Sequence, residues 1–281
     1  MATKIKRAVI PIAGLGTRFL PLSKVIPKEF FPLGTKPVIQ YVVEQAVEAG
    51  VKEVVFVVSP EKIKIFKNYI LKYFTGETGL ISILRKRRKK EAIKALGQIP
   101  KINYRYTIQK EPLGDGHAIL KAEKLVGKEP FLVLFGDDIS WGKEKMPYQL
   151  TKAFQKVKAP VLCLYKMPKK QLSAYGVPKV KRIKGDLYEI KDLIEKPKKN
   201  PPSGFALVGN YVLTPDIFPY LKKTKPQNKE IILANALKMM AEDGRKVYGV
   251  HVKGKWLECG DREKWMKSFI YLYLTKSAKD R

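Results

Sequence analysis

RAVIPIA at Arg7–Ala13, running into Gly14, and EVVFVVS at Glu53–Ser59 enclose the amphipathic stretch Val38–Ala49, and this alternation decides the fold. The short apolar runs read as buried strands and the stretch between them as a covering helix. Further strand candidates are Asn103–Ile108, Phe131–Phe135, Pro160–Tyr165, Ala206–Leu213 and Lys246–His251, interleaved with helical patterns at Glu61–Phe74 and His117–Leu125. Strands alternating with helices predict an α/β protein: a Rossmann-like, mixed but mostly parallel sheet flanked by helices on both faces. Tyr188–Lys196 reads as part of a smaller antiparallel region, and KPKKNPP at Lys196–Pro202 as an exposed turn.

In such sheets ligands collect beyond the carboxyl ends of the strands, which directs attention to Gly14–Arg18, Gln109–His117 and Gly136–Asp138. The 281 residues are expected to form one domain, 1–281, with a helical excursion at about 76–100 and a C-terminal helix at about 262–276.

Lys and Arg outnumber Asp and Glu 56 to 26, a net charge of +30 that favours anionic partners. The run Arg85-Lys86-Arg87-Arg88-Lys89-Lys90 is expected on a solvated helix, and it raises a non-catalytic, nucleic-acid-binding or regulatory alternative. A lysine-rich surface serves solubility or thermostability equally well, and phosphorylated small molecules are also anions, so nucleic acid is not the expected partner. Cys163 and Cys259 have no CxxC or Cys/His spacing, so neither a zinc site nor a disulfide is expected, and a reducing cytoplasm fits. No run approaches the ~18 apolar residues of a membrane span, and Met1–Arg7 lacks the pattern of a secretory signal.

Ala13-Gly14-Leu15-Gly16-Thr17-Arg18 follows a strand, and its glycines would let backbone N–H groups cradle phosphate oxygens while Arg18 adds a fork of charged donors. Lys24 and then Ile26-Pro27-Lys28-Glu29 bring more cations within reach. The segment lacks the third glycine of the dinucleotide fingerprint and the Gly-Lys-Ser/Thr ending of the P-loop. A triphosphate is the ligand it suits.

The stretch Gly14–Gly50, GLGTRFLPLSKVIPKEFFPLGTKPVIQYVVEQAVEAG, resembles the N-terminal motif of bacterial UTP-glucose-1-phosphate uridylyltransferases, in the nucleotidyltransferase superfamily. The resemblance continues in order through Gln109–Ala118, Phe135-Gly136-Asp137-Asp138, Ala174-Tyr175-Gly176-Val177, Glu195-Lys196-Pro197 and Val208-Gly209-Asn210-Tyr211. It implies transfer of a uridylyl group from UTP to glucose 1-phosphate, giving UDP-glucose and pyrophosphate, with Mg²⁺ as cofactor and a homo-oligomer, dimer or tetramer, as the assembly. A thymidylyltransferase acting on dTTP is the alternative within the same class.

By that resemblance Ala13, Gly14, Gly16, Gln109 and Gly114 hold the nucleotide, the Gln109 amide matching the base edge beside a Gly-x-Gly-His turn. Arg18 and Lys28 would neutralise the β,γ-phosphates and Lys196 the sugar phosphate. Gly176, Glu195, Val208 and Gly209 would bind the hexose, Glu195 accepting hydroxyl hydrogen bonds and Val208 forming an apolar wall, under the antiparallel extension. Asp137 would bind the metal, with Asp138 a capping or turn aspartate. A late WxDxG-like segment supplies the second carboxylate in related enzymes; here it reads Trp256-Leu257-Glu258-Cys259-Gly260, with Glu258 in place of the usual Asp.

Overall fold

The computed structural model describes residues 4–72, 79–96 and 100–277. In chain order the strands are β1 (Arg7–Pro11), β2 (Pro32–Leu33), β3 (Lys36–Pro37), β4 (Glu53–Val58), β5 (Asn103–Ile108), β6 (Phe131–Leu134), β7 (Asp138–Trp141), β8 (Val161–Lys166), β9 (Gly176–Lys184), β10 (Leu187–Glu195), β11 (Phe205–Leu213), β12 (Tyr248–His251) and β13 (Lys255–Glu258). Nine of them form one sheet in the order β5-β4-β1-β6-β11-β8-β12-β10-β9. Within it β1, β4, β5 and β6 run parallel, while β11 is antiparallel to both its neighbours and β10 to both of its own.

Alternation along the strands sorts their side chains into two cores. Ala8, Ile10, Val54, Phe56 and Val58 point to one face, with residues of the helices Val38–Glu48 and Met146–Val157. Val9, Val55 and Val57 point to the other, covered by the helices Gly114–Lys121, Ile217–Lys223 and Leu233–Glu242. Burial on both faces explains why the central strands read as unbroken Val/Ile/Phe runs. The β9–β10 hairpin, turning at Gly185 (φ 58°), provides the antiparallel extension.

Three sequence expectations change. The Gly-x-Gly-His segment is the first turn of the helix Gly114–Lys121 instead of a loop, and that helix stops short of a separate turn at Glu123–Val126. Glu61–Phe74 is irregular, with a 3₁₀ turn at Pro60–Lys62, a single turn at Ile63–Ile65 and a π-helical stretch at Phe66–Leu71; residues 73–78 lie outside the described ones. The basic run does not share one helix. Leu80–Lys86 ends within it, Arg88 takes a left-handed φ of 53°, and Lys90–Leu96 begins at its far end, with every one of the six cations exposed. Of the excursion at 76–100, residues 76–78 and 97–99 are likewise outside the described set. Among the described residues no helix is long and apolar enough to cross a membrane.

Two details of the sheet set up the cleft. The register of β11 slips between Val208 and Tyr211. At that bulge the Gly209 carbonyl accepts from the Phe135 N–H (2.7 Å), while the Gly209 N–H turns to the Asp138 carboxylate (3.0 Å). A separate ribbon, β7 with β13, brings Glu258 opposite Asp138. Gly209 has no room for a side chain: a Cβ would collide with Asp138 Oδ2 and lie 2.6 Å from the Phe135 ring. Gly209→Ala is therefore expected to lower unfolding stability by about 1–3 kcal/mol, read as a fall in the urea midpoint; an unchanged midpoint would mean that Asp138 yields freely.

Candidate active site

On one side of the cleft a cavity of about 590 Å³ is lined by Ala13, Gly14, Gly16, Lys28, Gln109 and Gly114, so all five expected nucleotide residues meet Lys28 there. The Gly14–Gly16 loop leaves β1 after Ile12, whose N–H still bonds Val57 O (2.9 Å). Gly16 sits at φ 67°, a conformation that disfavours a side chain, and Ser23 Oγ donates to its carbonyl (2.8 Å). Below the loop the Glu29 carboxylate is 2% exposed and paired with Lys62 (3.4 Å), which also donates to Ile12 O (3.0 Å). This buried pair fixes the segment that carries Lys28.

Gln109 is also nearly inaccessible. Its Nε2 donates to Gly114 O (2.9 Å) and lies 3.0 Å from His117 Nδ1. Burial, with Lys121 nearby, holds the His117 pKa below its ordinary value, so the neutral ring accepts at Nδ1 and carries its proton on Nε2. Gln109 Oε1 takes no hydrogen bond among the described residues, leaving an acceptor for an N–H on a base edge.

On the other side a cavity of about 540 Å³ is lined by Arg18, Gly176, Glu195, Lys196, Gly209 and Glu258. Val208 is not among its lining residues. With 1% exposure it packs into the core beneath the sheet, and Leu207, one position earlier and so on the opposite face, forms the apolar wall. Lys196 Nζ lies 3.3 Å from Glu195 Oε1, so cation and acceptor enter the cavity as a neighbouring pair.

The two cavities meet at Asp115, Phe135 and Asp137. Asp137 Oδ2 is 2.5 Å from Lys28 Nζ. Burial alone would raise the Asp137 pKa, but Lys28 and Arg18 overcome it and hold the carboxyl below the ordinary range. Burial works to lower Lys28 and is outweighed by Asp137, Glu29 and Asp138, so the ammonium stays charged. Asp138 faces the opposite way: its two oxygens accept from Trp256 Nε1–H (2.7 Å) and Gly209 N–H. Burial, then the charges of Asp137 and Glu258, push its pKa up. Asp138 is thus a tie between strands and not the expected turn residue.

Glu258 comes to Asp137 from β13, whose end is fastened by the Cys259 N–H donating to Asp137 O (2.8 Å). Its carboxylate accepts from Tyr175 Oη (2.6 Å) and Lys264 Nζ (2.7 Å). Burial and the Glu258 charge push the Tyr175 phenol up to about 12. Lys264 lies on the helix Arg262–Ser277, whose start Asp261 caps by accepting the Lys264 N–H (2.9 Å). A Cβ built on Gly260 would stand 3.3 Å from Asp137 Oδ2, 3.6 Å from Glu258 Oε1 and 3.7 Å from Arg18 Nη1. Two hard oxygen donors therefore converge around a bare backbone. That set suits a hard divalent cation completed by phosphate oxygens and water. Among the described residues no group of three or more ligating side chains could close the coordination alone.

Sequence reasoning missed Tyr175, Trp256 and Lys264 as supports of the carboxylates, and gave Asp115 no role although it stood in a quoted motif. Lys264, six residues after Glu258, carried a signal only once a helix was known to start at Arg262. Asp115 is half-buried. Burial pushes its carboxyl up to about 6, against the backbone N–H groups of Leu233 and Gly116 and with added repulsion from Glu195.

The profile of the nucleotidyl transferase family matches residues 7–271. A Pseudomonas aeruginosa protein named UTP–glucose-1-phosphate uridylyltransferase is 35% identical across 98% of this chain and 99% of its own length. A solved UDP-glucose pyrophosphorylase, complexed with UDP-glucose, superposes with a TM-score of 0.85 at 36% identity, covering 96% of this chain and 99% of the other. A UTP-bound UGPase from Acinetobacter baumannii gives 0.86 at 30% identity, covering 95% and 93%. With its loop, carboxylates and double cavity in the frame these proteins share, the chain belongs to the nucleotidyl transferase family, among the UTP–glucose-1-phosphate uridylyltransferases.

Proposed function

We propose that this protein transfers the uridylyl group of UTP to glucose 1-phosphate, giving UDP-glucose and releasing pyrophosphate, with Mg²⁺ as its cofactor. The observation that carries the reading is the pair of cavities meeting at Asp137, one bearing the glycine loop, Gln109 and Lys28, the other Glu195 and Lys196. A nucleoside triphosphate in the first and a hexose phosphate in the second place the two reacting phosphates at the shared carboxylate. The related proteins' names point to the same substrates.

The attacking group is a phosphate oxygen that is already anionic, so no protein nucleophile or general base is required, and catalysis reduces to placing two anions in line and offsetting their charge. Lys196 lowers the repulsion that glucose 1-phosphate meets on entry. Lys28, charged beside Asp137, faces the triphosphate and stabilises the departing pyrophosphate. Arg18 lines the sugar-side cavity and not the first one; with its guanidinium near Gly260 and its charge felt at Asp137, it offsets charge from that side of the junction. Asp137 and Glu258 would hold Mg²⁺, which supplies Lewis-acid neutralisation of the phosphate oxygens. Gln109, its Nε2 tied to Gly114, offers Oε1 to the N3–H of uracil, a donor that cytosine lacks. The exposed stripe Met266, Ile270, Tyr273 and Leu274 on the last helix supports assembly with further copies, and the buried free thiols Cys163 and Cys259 suit a reducing cytoplasm.

Three measurements test this. Pyrophosphate release assayed with glucose 1-phosphate and each of UTP, dTTP, ATP, GTP and CTP should be fast only with UTP and should stop on chelation; preference for dTTP would replace the base assignment, and silence with every pair would sink the enzyme reading. Asp137→Asn should cut kcat by roughly a hundredfold or more and abolish Mn²⁺ binding followed by electron paramagnetic resonance; unaltered Mn²⁺ binding would place the metal elsewhere. Sedimentation should give a mass of at least two chains, collapsing to one for Tyr273→Asp with Leu274→Asp; a wild-type monomer would remove the oligomer.

A further inference from the structure

We propose that Asp115 is a specificity-determining residue that accepts a hydrogen bond from a hydroxyl of the hexose; this rests on the hexose-phosphate reading of the second cavity. Asp115 is the second residue of the helix Gly114–Lys121, and its two hydrogen bonds from described residues both end on Oδ1: from Gly116 N–H (2.7 Å) and Leu233 N–H (3.0 Å). The same junction is zipped by Gly116 N–H to Ile231 O (2.9 Å) and Ile231 N–H to Leu113 O (2.8 Å). One carboxylate oxygen thus fixes the side chain, and its rotamer is not free to turn away.

The other oxygen, Oδ2, accepts nothing from the described residues, and no cation among them pairs with the carboxylate. Asp115 lines both cavities, so water meets this acceptor before a ligand binds, and a ligand that displaces the water must donate in its place or lose affinity. The anchor selects which. Leu233 lies between Ile232 and Ala234, both walls of the sugar cavity, and Glu195 lines the same cavity with its charge reaching Asp115. Two acceptor side chains in one cavity match a ligand whose rim consists of hydroxyl donors, and their negative charge favours the hexose ring over its phosphate beside them.

Asp115→Asn is the informative variant because it retains Oδ1, and with it the bonds to Gly116 and Leu233, while turning the cavity-facing atom from acceptor to donor. The KM for glucose 1-phosphate should rise about ten- to a hundredfold, with the KM for UTP unchanged within about twofold and the thermal midpoint unmoved. In a panel of 2-, 3-, 4- and 6-deoxyglucose 1-phosphates, one compound should lose a similar factor with the wild type and little with the variant, which names the hydroxyl. An unchanged KM for glucose 1-phosphate in the variant overturns the proposal. A rise in the UTP KM that disappears with 2′-deoxy-UTP would assign Asp115 to the ribose and overturn it as well. Absence of turnover by the wild type with every nucleotide and hexose 1-phosphate would remove the underlying reading, a failure visible before any variant is made.

Discussion

Two carboxylates on consecutive residues, Asp137 and Asp138, are held apart by being sent in opposite directions, and the cleft is organised around that separation. Asp137 lies in the turn that the Asp138 N–H closes onto Phe135 O (3.3 Å) and Asp138 opens β7, so one of the pair is tied to the protein while the other stays available to the cleft. Asp138 receives the indole N–H from β13 and the Gly209 N–H from the β11 bulge, joining three stretches that are remote in sequence. Asp137 is left facing both cavities with Lys28 beside it. Removing the inward tie would put two like charges in one small volume and leave neither direction defined.

The electrostatic pattern follows from the same arrangement. Glu29, Asp137, Glu195 and Glu258 bring acidic side chains into a chain whose net charge is strongly positive, and lysines answer locally: Lys62 for Glu29, Lys28 for Asp137, Lys196 for Glu195, Lys264 for Glu258. Except for the exposed Lys196, both members of each pair are at least partly buried, so screening by salt weakens those pairs less than the exposed ones elsewhere. The charged side chains are thereby held in place before a ligand arrives, which is what preorganisation requires.

The central strands were legible because burial on both faces writes an unmistakable signature, and β4 differs from its expected run by one residue; the edge strand β5, which has no fully buried residue, also spans the residues expected. The shared wall of Ala13, Gly14, Gly16, Gln109 and Gly114 was legible as a cluster for a chemical reason, since glycines after a strand, here Gly16 and Gly114 at positive φ, permit close backbone approach. The resemblance gives Val208 to the cavity, whereas the regular alternation of β11 before its bulge sends Val208 into the core and leaves the cavity wall to Leu207. The short ribbon of β7 with β13 left almost no periodic signal, four residues on each strand, and with it went Trp256 and its bond to Asp138. Contacts that depend on a partner more than a hundred residues away have no local trace at all.

Arg262 donates from its guanidinium to the carbonyls of Arg18 (3.1 Å) and Leu20 (2.8 Å), so the start of the helix Arg262–Ser277 clasps the glycine loop from across the sequence. The loop precedes by 244 residues the arginine that clasps it, so during synthesis it waits unclasped until that helix has been made. A nascent chain that had reached only β12 could form the parallel half of the sheet and its glycine loop, yet it would lack Glu258, Trp256 and the clasp together. The loop and the wall that closes over it are therefore completed at different times, the loop first and its clasp later, together with Glu258 and Trp256.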